Sequence, residues 1–267
     1  MFDYKLPFNQ NGNIDISEKE LQYLNSQLEK LSSEQIIKWA ASSFPRLFQE
    51  TAFGPSGNVI MDMIYSSNIK VPVIFIDTLY HFDETLDLAK IITDKYNADL
   101  HIYKPNGCSS RKEFVEIHGD NLWDLYPNKY DFLVKAEPGN RAYSELRPKC
   151  VITGRRRSQK GKRESLKILE IVNIEIDGRT EKLFKLNPLA KEEWTFQKIK
   201  SYLLAYQVPY NTLLNKGYKS IGDIHSTSPV NGDDDERSGR WKGTDKTECG
   251  LHSDYFLMKT AFIARQI

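Results

Sequence analysis

Val71-Pro72-Val73-Ile74-Phe75-Ile76-Asp77-Thr78 decides the fold class. A continuous apolar run that closes on polar residues reads as a strand covered on both faces, the kind that builds parallel sheets. A helical pattern follows over residues 83–96, and Leu100-His101-Ile102-Tyr103 reads as the next strand. Upstream, Thr51-Ala52-Phe53 is a short β-like stretch that runs into Gly54-Pro55-Ser56-Gly57 and a helix through Asn58-Val59-Ile60-Met61. Downstream, helical segments occupy roughly 110–146 and stop before Pro148. Cys150-Val151-Ile152-Thr153 and residues 168–176 are further strands. Leu183-Phe184-Lys185-Leu186 is a sixth, bent back after the Asp177-Gly178 turn. Helices alternating with buried strands predict an α/β fold with a mostly parallel sheet.

Two capping boxes, Ser17 with Glu20 and Ser32 with Gln35, start a pair of N-terminal helices, and Pro45 ends the second. An amphipathic helix covers 195–207. From Gly217 to Asp254 glycines and charges are scattered without apolar periodicity, although Tyr218, Ile221, His225, Trp241 and Cys249 argue against plain disorder. The expected organisation is an α/β domain with N-terminal helices over 1–216 and a mobile tail over 217–267 that docks on a site.

The 267 residues carry a net charge of +1, which argues against a dedicated nucleic-acid binder. No apolar run approaches the roughly 18 residues of a membrane span. Met1 to Asp15 has neither the basic nor the apolar region of a secretory signal. Three cysteines without a CxxC spacing give no disulfide framework and point to the reducing cytosol.

In a parallel α/β sheet, ligands bind beyond the C-terminal ends of the strands. Gly54-Pro55-Ser56-Gly57 sits at such an end and lets backbone N–H groups approach an anion; a tight strand-to-helix turn is the plainer reading. It is neither a Walker A loop nor G-x-G-x-x-G. Asp77, with Thr78, can accept hydrogen bonds from a ribose or amine, or can simply cap a helix. Thr153-Gly154 leads into Arg155-Arg156-Arg157-Ser158-Gln159-Lys160-Gly161-Lys162-Arg163, six basic residues with no acid among them. Arginine forks match phosphate and sulfate oxygens, so this run reads as an oxyanion site, against a solvated surface run or a nuclear-localisation signal. In the tail, Glu236-Arg237-Ser238-Gly239-Arg240-Trp241-Lys242 precedes Glu248-Cys249-Gly250-Leu251-His252. A thiol among Arg, Lys and His is where a nucleophilic thiolate is expected, with Glu248 working the other way. Cys150 reads as a buried strand residue.

Thr51-Ala52-Phe53-Gly54, Asp77-Thr78, Thr153 to Gln159, Tyr218-Lys219-Ser220-Ile221-Gly222-Asp223 and Glu248 to His252 occur in that order. Together they resemble the 3′-phosphoadenylyl sulfate (PAPS) reductases of the fungal and enteric-bacterial type, over residues 35–252. The resemblance implies a Rossmann-like adenine-nucleotide-binding fold related to ATP pyrophosphatases, with a mobile C-terminal segment. It also implies reduction of PAPS by reduced thioredoxin, giving sulfite and adenosine 3′,5′-bisphosphate through a thiosulfonate on Cys249, and a homodimer. The residues it places on the substrate are Thr51, Ala52, Phe53, Gly54, Ser56, Gly57, Asp77, Thr78, Lys135, Arg141, Gly154, Arg155, Arg156, Arg157, Gln159, Arg163, Arg237, Arg240 and His252. Asn140 matches the family as well. Relatives that prefer adenylyl sulfate (APS) hold a [4Fe–4S] cluster with a Cys-Cys pair and a C-x-x-C after Ser-Ile-Gly. Here Asp223 and Ser226 stand in those last positions and Cys-Cys is missing, so neither a cluster nor a metal is expected, and PAPS is the expected substrate. The competing readings are an ATP pyrophosphatase or sulfurtransferase, which wants a fuller Ser-Gly-Gly-x-Asp-Ser loop, and a non-enzymatic nucleotide- or RNA-binding module, which leaves the Cys249 motif unexplained.

Overall fold

The structure is a computed structural model that describes residues 4, 6, 8, 16–232, 234–244, 246 and 248–264. Most of the N-terminal stretch read against a secretory signal lies outside the described residues. Helices α1 (Glu18–Leu28) and α2 (Ser33–Ser43) each begin at a complete capping box, Ser17 with Glu20 and Ser32 with Gln35. Strands β1 (Leu47–Glu50), β2 (Val73–Ile76), β3 (Leu100–Tyr103) and β4 (Cys150–Ile152) run parallel with β6 (Arg179–Leu186), while β5 (Leu169–Ile176) pairs antiparallel with β6. The sheet order is β3-β2-β1-β4-β6-β5. It is an α/β fold with a mostly parallel six-stranded sheet.

Two strands start four residues earlier than the sequence reading placed them. The first strand is Leu47–Glu50, and Thr51-Ala52-Phe53 forms the loop after it. Its pattern is hidden because its last two residues are buried polar groups: Gln49 donates to the Gly57 carbonyl at 2.7 Å, and Glu50 accepts from the Tyr143 hydroxyl. Strand β6 also starts earlier, at Arg179, so the Asp177-Gly178 turn joins two eight-residue arms.

Helix α3 (Pro55–Ser66) follows β1, and α4 (Asp83–Tyr96) joins β2 to β3. After β3 the helical stretch is broken into α5 (Arg111–His118), α6 (Leu122–Leu125), α7 (Pro127–Asp131), a π-helical turn (Phe132–Ala136) and α8 (Glu137–Leu146). In that turn the Glu137 N–H reaches back five residues to Phe132. Pro138, with no N–H to give to the preceding turn, favours the wider loop. Helix α9 (Phe196–Ala205) packs on α3, and α10 (Tyr255–Ile263) closes the described chain. No helix among the described residues is long and apolar enough to cross a membrane. The main core lies between the sheet and α1–α4 with α9, and Cys150 is fully buried in it.

From β1 the chain moves outward to β2 and β3, and then returns to place β4 on the other side of β1. Strand order reverses there, so the crevice beyond the C-terminal ends of β1 and β4 is where a parallel α/β sheet receives a ligand.

Candidate active site

The floor of that crevice is the turn after β1 and the start of α3. The Thr51 hydroxyl accepts the Phe53 N–H at 2.9 Å, which tightens the turn. Phe53 adopts a left-handed φ of 55° and packs its ring edge-on against Phe75, with centroids 5.1 Å apart. It therefore anchors the loop from below and does not line the cavity, whereas Thr51, Ala52, Gly54, Ser56 and Gly57 do. Gly154, just beyond β4, lies directly against α3: a Cβ there would stand 2.9 Å from the Gly57 nitrogen. Only a glycine lets the two strand ends present their loops side by side. The first-turn N–H groups of α3 and the loop after β4 thus face one space, as an oxyanion site requires.

The described residues between 217 and 254 cross the open side of this crevice. Asp223 is buried and accepts from Lys135 Nζ at 2.6 Å, the Thr78 hydroxyl at 2.7 Å and the Tyr130 hydroxyl at 3.2 Å. Lys135, in the π-helical turn, also meets Asp131 at 2.9 Å. Burial works against the Lys135 ammonium, but Asp223, Asp131 and a Cys249 thiolate outweigh it and its pKa is raised. The Asp223 carboxyl is correspondingly held below the usual range by Lys135 despite burial. Further on, Thr227 and Arg240 bridge antiparallel, and the buried Trp241 lies beneath the cations of Arg240, Arg237 and Lys246 at 4.4, 5.3 and 5.2 Å from its ring. The Arg240 guanidinium rests on Gly222, where a Cβ would come within 2.2 Å of it. Its Nε is buried without a hydrogen-bond partner among the described residues.

Cys249 stands on the rim of the resulting cavity and is partly exposed. Its own N–H donates to Glu248 at 2.9 Å. The charges of Lys135, Lys185, Arg237 and Arg240 all couple to it. Burial, then Arg163, pulls the Arg237 guanidinium down to about 10, so it remains a cation at neutral pH. Burial, reinforced by Arg155 and Lys185, pushes His252 well below its usual value, so its imidazole is neutral and adds no charge to the cavity, while its backbone N–H donates to the Cys249 carbonyl at 3.0 Å. Cys108 and Cys150 are buried, and burial raises both thiols.

The remaining expected site residues divide. Thr78, Lys135, Gly154, Arg155, Gln159, Arg163, Arg237, Arg240, Cys249 and His252 line the same cavity. Asp77 does not: its carboxylate accepts the Leu79 N–H at 2.9 Å and caps the turn after β2. Arg141 bonds Glu137 at 2.9 Å and the Lys104 carbonyl at 2.6 Å, and Asn140 bonds the Glu175 backbone. Within the basic run, Arg157 turns outward to Glu29 and the Leu166 carbonyl. Arg155 reaches Glu170 at 2.6 Å and Arg163 reaches Glu248 at 2.5 Å. Arg156 is buried beneath the cavity floor. The acids Asp223, Glu236 and Glu248 organise this site, and the sequence reading gave none of them a role in binding. Asp223 and Glu248 belong to the quoted tail motifs and Glu236 adjoins Arg237, but nothing local shows which cations they would meet. Among the described residues no group of three or more His, Cys, Asp or Glu is arranged to hold a metal ion.

Residues 46–229 match the phosphoadenosine phosphosulfate reductase domain. The chain belongs to that family. A probable phosphoadenosine phosphosulfate reductase of Schizosaccharomyces pombe is 50% identical over 88% of this chain and 85% of its own length. The phosphoadenosine phosphosulfate reductase of Saccharomyces cerevisiae is 48% identical over 91% of this chain and 93% of its own. The crystal structure of a phosphoadenylyl-sulfate reductase from Candida auris in a phosphate complex superposes with a TM-score of 0.72, at 46% identity, over 81% of this chain and all of that one. In this phosphoadenosine phosphosulfate reductase family member, the domain match covers the strand-end loops and stops short of the Glu248 to His252 motif.

Proposed function

We propose that this protein reduces PAPS to sulfite and adenosine 3′,5′-bisphosphate in the cytosol, with reduced thioredoxin as electron donor and Cys249 as nucleophile. The observation that carries the reading is the placement of Cys249. It is a partly exposed thiol on a cavity whose floor is a helix N-terminus and whose walls carry Lys135, Arg155, Arg163, Arg237 and Arg240. A sulfonate–phosphate anhydride repels an anionic thiolate, and cations fixed around both offset that repulsion where charge develops. Arg240, with an unpartnered buried Nε, and the backbone N–H groups at the start of α3 are the donors assigned to the anhydride oxygens.

In the first step the Cys249 thiolate bonds to the sulfonate sulfur. The sulfur–oxygen bond to the nucleotide breaks, and the bisphosphate leaves with the electron pair. In the second step a thioredoxin thiolate attacks Cys249 Sγ and releases sulfite. The second thioredoxin thiol then closes its own disulfide and restores the Cys249 thiolate. One enzyme cysteine suffices, because both electrons come from the donor's dithiol. No metal or iron–sulfur cluster enters this scheme. A homodimer is proposed from the family resemblance alone.

The docked tail leaves a cavity of about 190 Å³, below the roughly 300–1,000 Å³ of ordinary small-molecule sites. The small volume supports reading 217–267 as a segment that moves on a fixed α/β domain when a nucleotide binds. Sulfite production from PAPS, coupled to thioredoxin and its reductase, tests the function. No sulfite above the rate without enzyme would overturn it.

A further inference from the structure

The basic run after β4 has been assigned to substrate because of its composition, yet much of its hydrogen-bonding capacity is already occupied by the protein. Arg156 is the clearest case. A guanidinium has five N–H donors. Nε donates to the Ser56 hydroxyl at 2.7 Å, and Nη1 to the Ser158 hydroxyl at 2.7 Å and the Trp194 carbonyl at 3.0 Å. Nη2 donates to both oxygens of Glu236, at 2.7 and 2.6 Å. The side chain is fully buried, and each guanidinium nitrogen is already engaged by the protein. Eighty residues separate the two partners of this fork. One belongs to the strand-end loop, and the other begins the tail segment that delivers Arg237, Arg240 and Trp241.

A second Arg–Glu contact lies beside it, this one made through two guanidinium nitrogens. Arg163 donates to Glu248 through Nε at 2.7 Å and Nη2 at 2.5 Å, and Glu248 is the residue that accepts the Cys249 N–H. Burial raises the Glu248 carboxyl, but Arg163 and Arg237 outweigh that and hold it near 2, so it is an anion at any neutral pH. Gln159 ties the two forks together: its amide donates to Glu236 at 3.2 Å and its carbonyl oxygen accepts from Arg163 at 2.6 Å. Lys160 and Asp235 form a third contact at 2.6 Å, but both are well exposed, and such pairs contribute little.

We propose that Arg156–Glu236 and Arg163–Glu248 are a double clasp that seats the tail, and that Arg156 and Glu236 are positioning residues for sulfonate transfer, not ligands of the nucleotide. Ser56 makes the clasp sensitive to the nucleotide loop, because the Arg156 guanidinium touches α3 on one edge and the tail on the other. The clasp fixes where Arg240 and Cys249 stand relative to the start of α3. It governs how often the thiolate meets the bound sulfonate, and it leaves binding of the bisphosphate, which lacks the anhydride, unweakened. The kinetic part of this proposal rests on reading Cys249 as the sulfonate acceptor.

The test is Glu236→Gln, which keeps the size of the side chain and removes its charge, with Glu236→Asp as the conservative comparison. Three readouts are taken on the full-length protein: binding of adenosine 3′,5′-bisphosphate by calorimetry, single-turnover transfer from saturating PAPS to the protein, and tryptic cleavage after Lys242 and Lys246 without nucleotide. For Glu236→Gln the expected results are unweakened bisphosphate binding, transfer slower by about tenfold or more, and faster tail cleavage, because a charged bidentate fork has become a neutral contact. Glu236→Asp recovers part of the transfer rate. Circular dichroism melting confirms that the domain remains folded in both variants. If bisphosphate binding weakens tenfold while transfer from the saturated complex is unchanged, Arg156 and Glu236 belong to the nucleotide site and the proposal is wrong. Unchanged transfer together with unchanged cleavage overturns it equally. A wild type that accepts no sulfonate from PAPS sinks the Cys249 reading instead, and the cleavage comparison still decides whether the clasp holds the tail.

Discussion

Replacing Asp223 by Asn removes one negative charge from the centre of the tail's docking contact. Asp223 is 1% exposed and accepts three hydrogen bonds, one of them from the Lys135 ammonium at 2.6 Å. Breaking a buried ion pair by removing one partner costs about 3–5 kcal/mol. Lys135 keeps Asp131 at 2.9 Å as a second counter-charge, so the lower end applies, about 3 kcal/mol or a factor of roughly 100 in equilibrium. The loss falls on docking of the tail and not on the sheet, because Asp223 joins the tail to the strand-end loops and takes no part in the main core. Hydrogen exchange reads this directly. The Ile224 N–H is held by the Tyr80 carbonyl at 2.8 Å, beside the substituted residue. Its protection is expected to fall about 100-fold in Asp223→Asn, while the amides of Cys150 and Val151 in β4 keep theirs. A change of less than about threefold at Ile224 would refute the assignment of Asp223 as the docking charge. An equal loss in β4 would show that the pair stabilises the whole domain instead.

The imidazole of His225 stacks on Trp123 at 4.4 Å and is brought down to about 4 by burial, with Lys135 and Lys246 adding to the effect and Asp223 opposing it. Its folded value lies below its unfolded one, so docking favours the neutral ring. Its contribution is complete above about pH 6.5 and is lost as pH falls towards 4, and a flat tail-exchange profile between pH 7.5 and 5 would count against it. Gly154→Ala drives a methyl into the backbone of Gly57, and overpacking of this kind costs about 1–3 kcal/mol; urea unfolding should show a lowered midpoint, and an unchanged midpoint would mean that the strand end and α3 separate freely. PAPS is expected to be used in preference to APS, with the extra phosphate giving on the order of 2–4 kcal/mol when paired with a guanidinium fork. Comparable kcat/KM for the two nucleotides, or stoichiometric iron in the purified protein, would contradict that expectation.

Elements whose polarity follows their burial were legible from the residues. Helix α4 falls where the periodicity put it, because Leu88, Ala89 and Ile92 are buried on one face and Asn97 ends it in the left-handed region, and strand β3 falls there although its Ile102 is exposed. Strand β1 was obscured by Gln49 and Glu50, whose partners Gly57 and Tyr143 come from other elements. The basic run was recognised as a cationic feature at a strand end. Its partners were not, because Glu236 and Glu248 lie 80 and 85 residues further along the chain and only the tertiary fold brings them near. Lys135 illustrates the same limit. Its place inside a helical stretch gave no sign that a π-helical turn would aim it at Asp223. Cys249 could be singled out earlier because the polar, glycine-rich surroundings of a reactive thiol are local in sequence.

The central claim is that Cys249 takes the sulfonate. The direct measurement is intact-protein mass spectrometry, followed by peptide mapping, on wild type incubated with PAPS in the absence of thioredoxin. The account predicts a gain of about 80 Da, one SO₃ group, on Cys249 alone. It also predicts that the gain disappears on adding reduced thioredoxin, and that Cys249→Ser binds nucleotide but neither gains the mass nor releases sulfite. An adduct on Cys108 or Cys150, or substantial sulfite formation by Cys249→Ser, would contradict it.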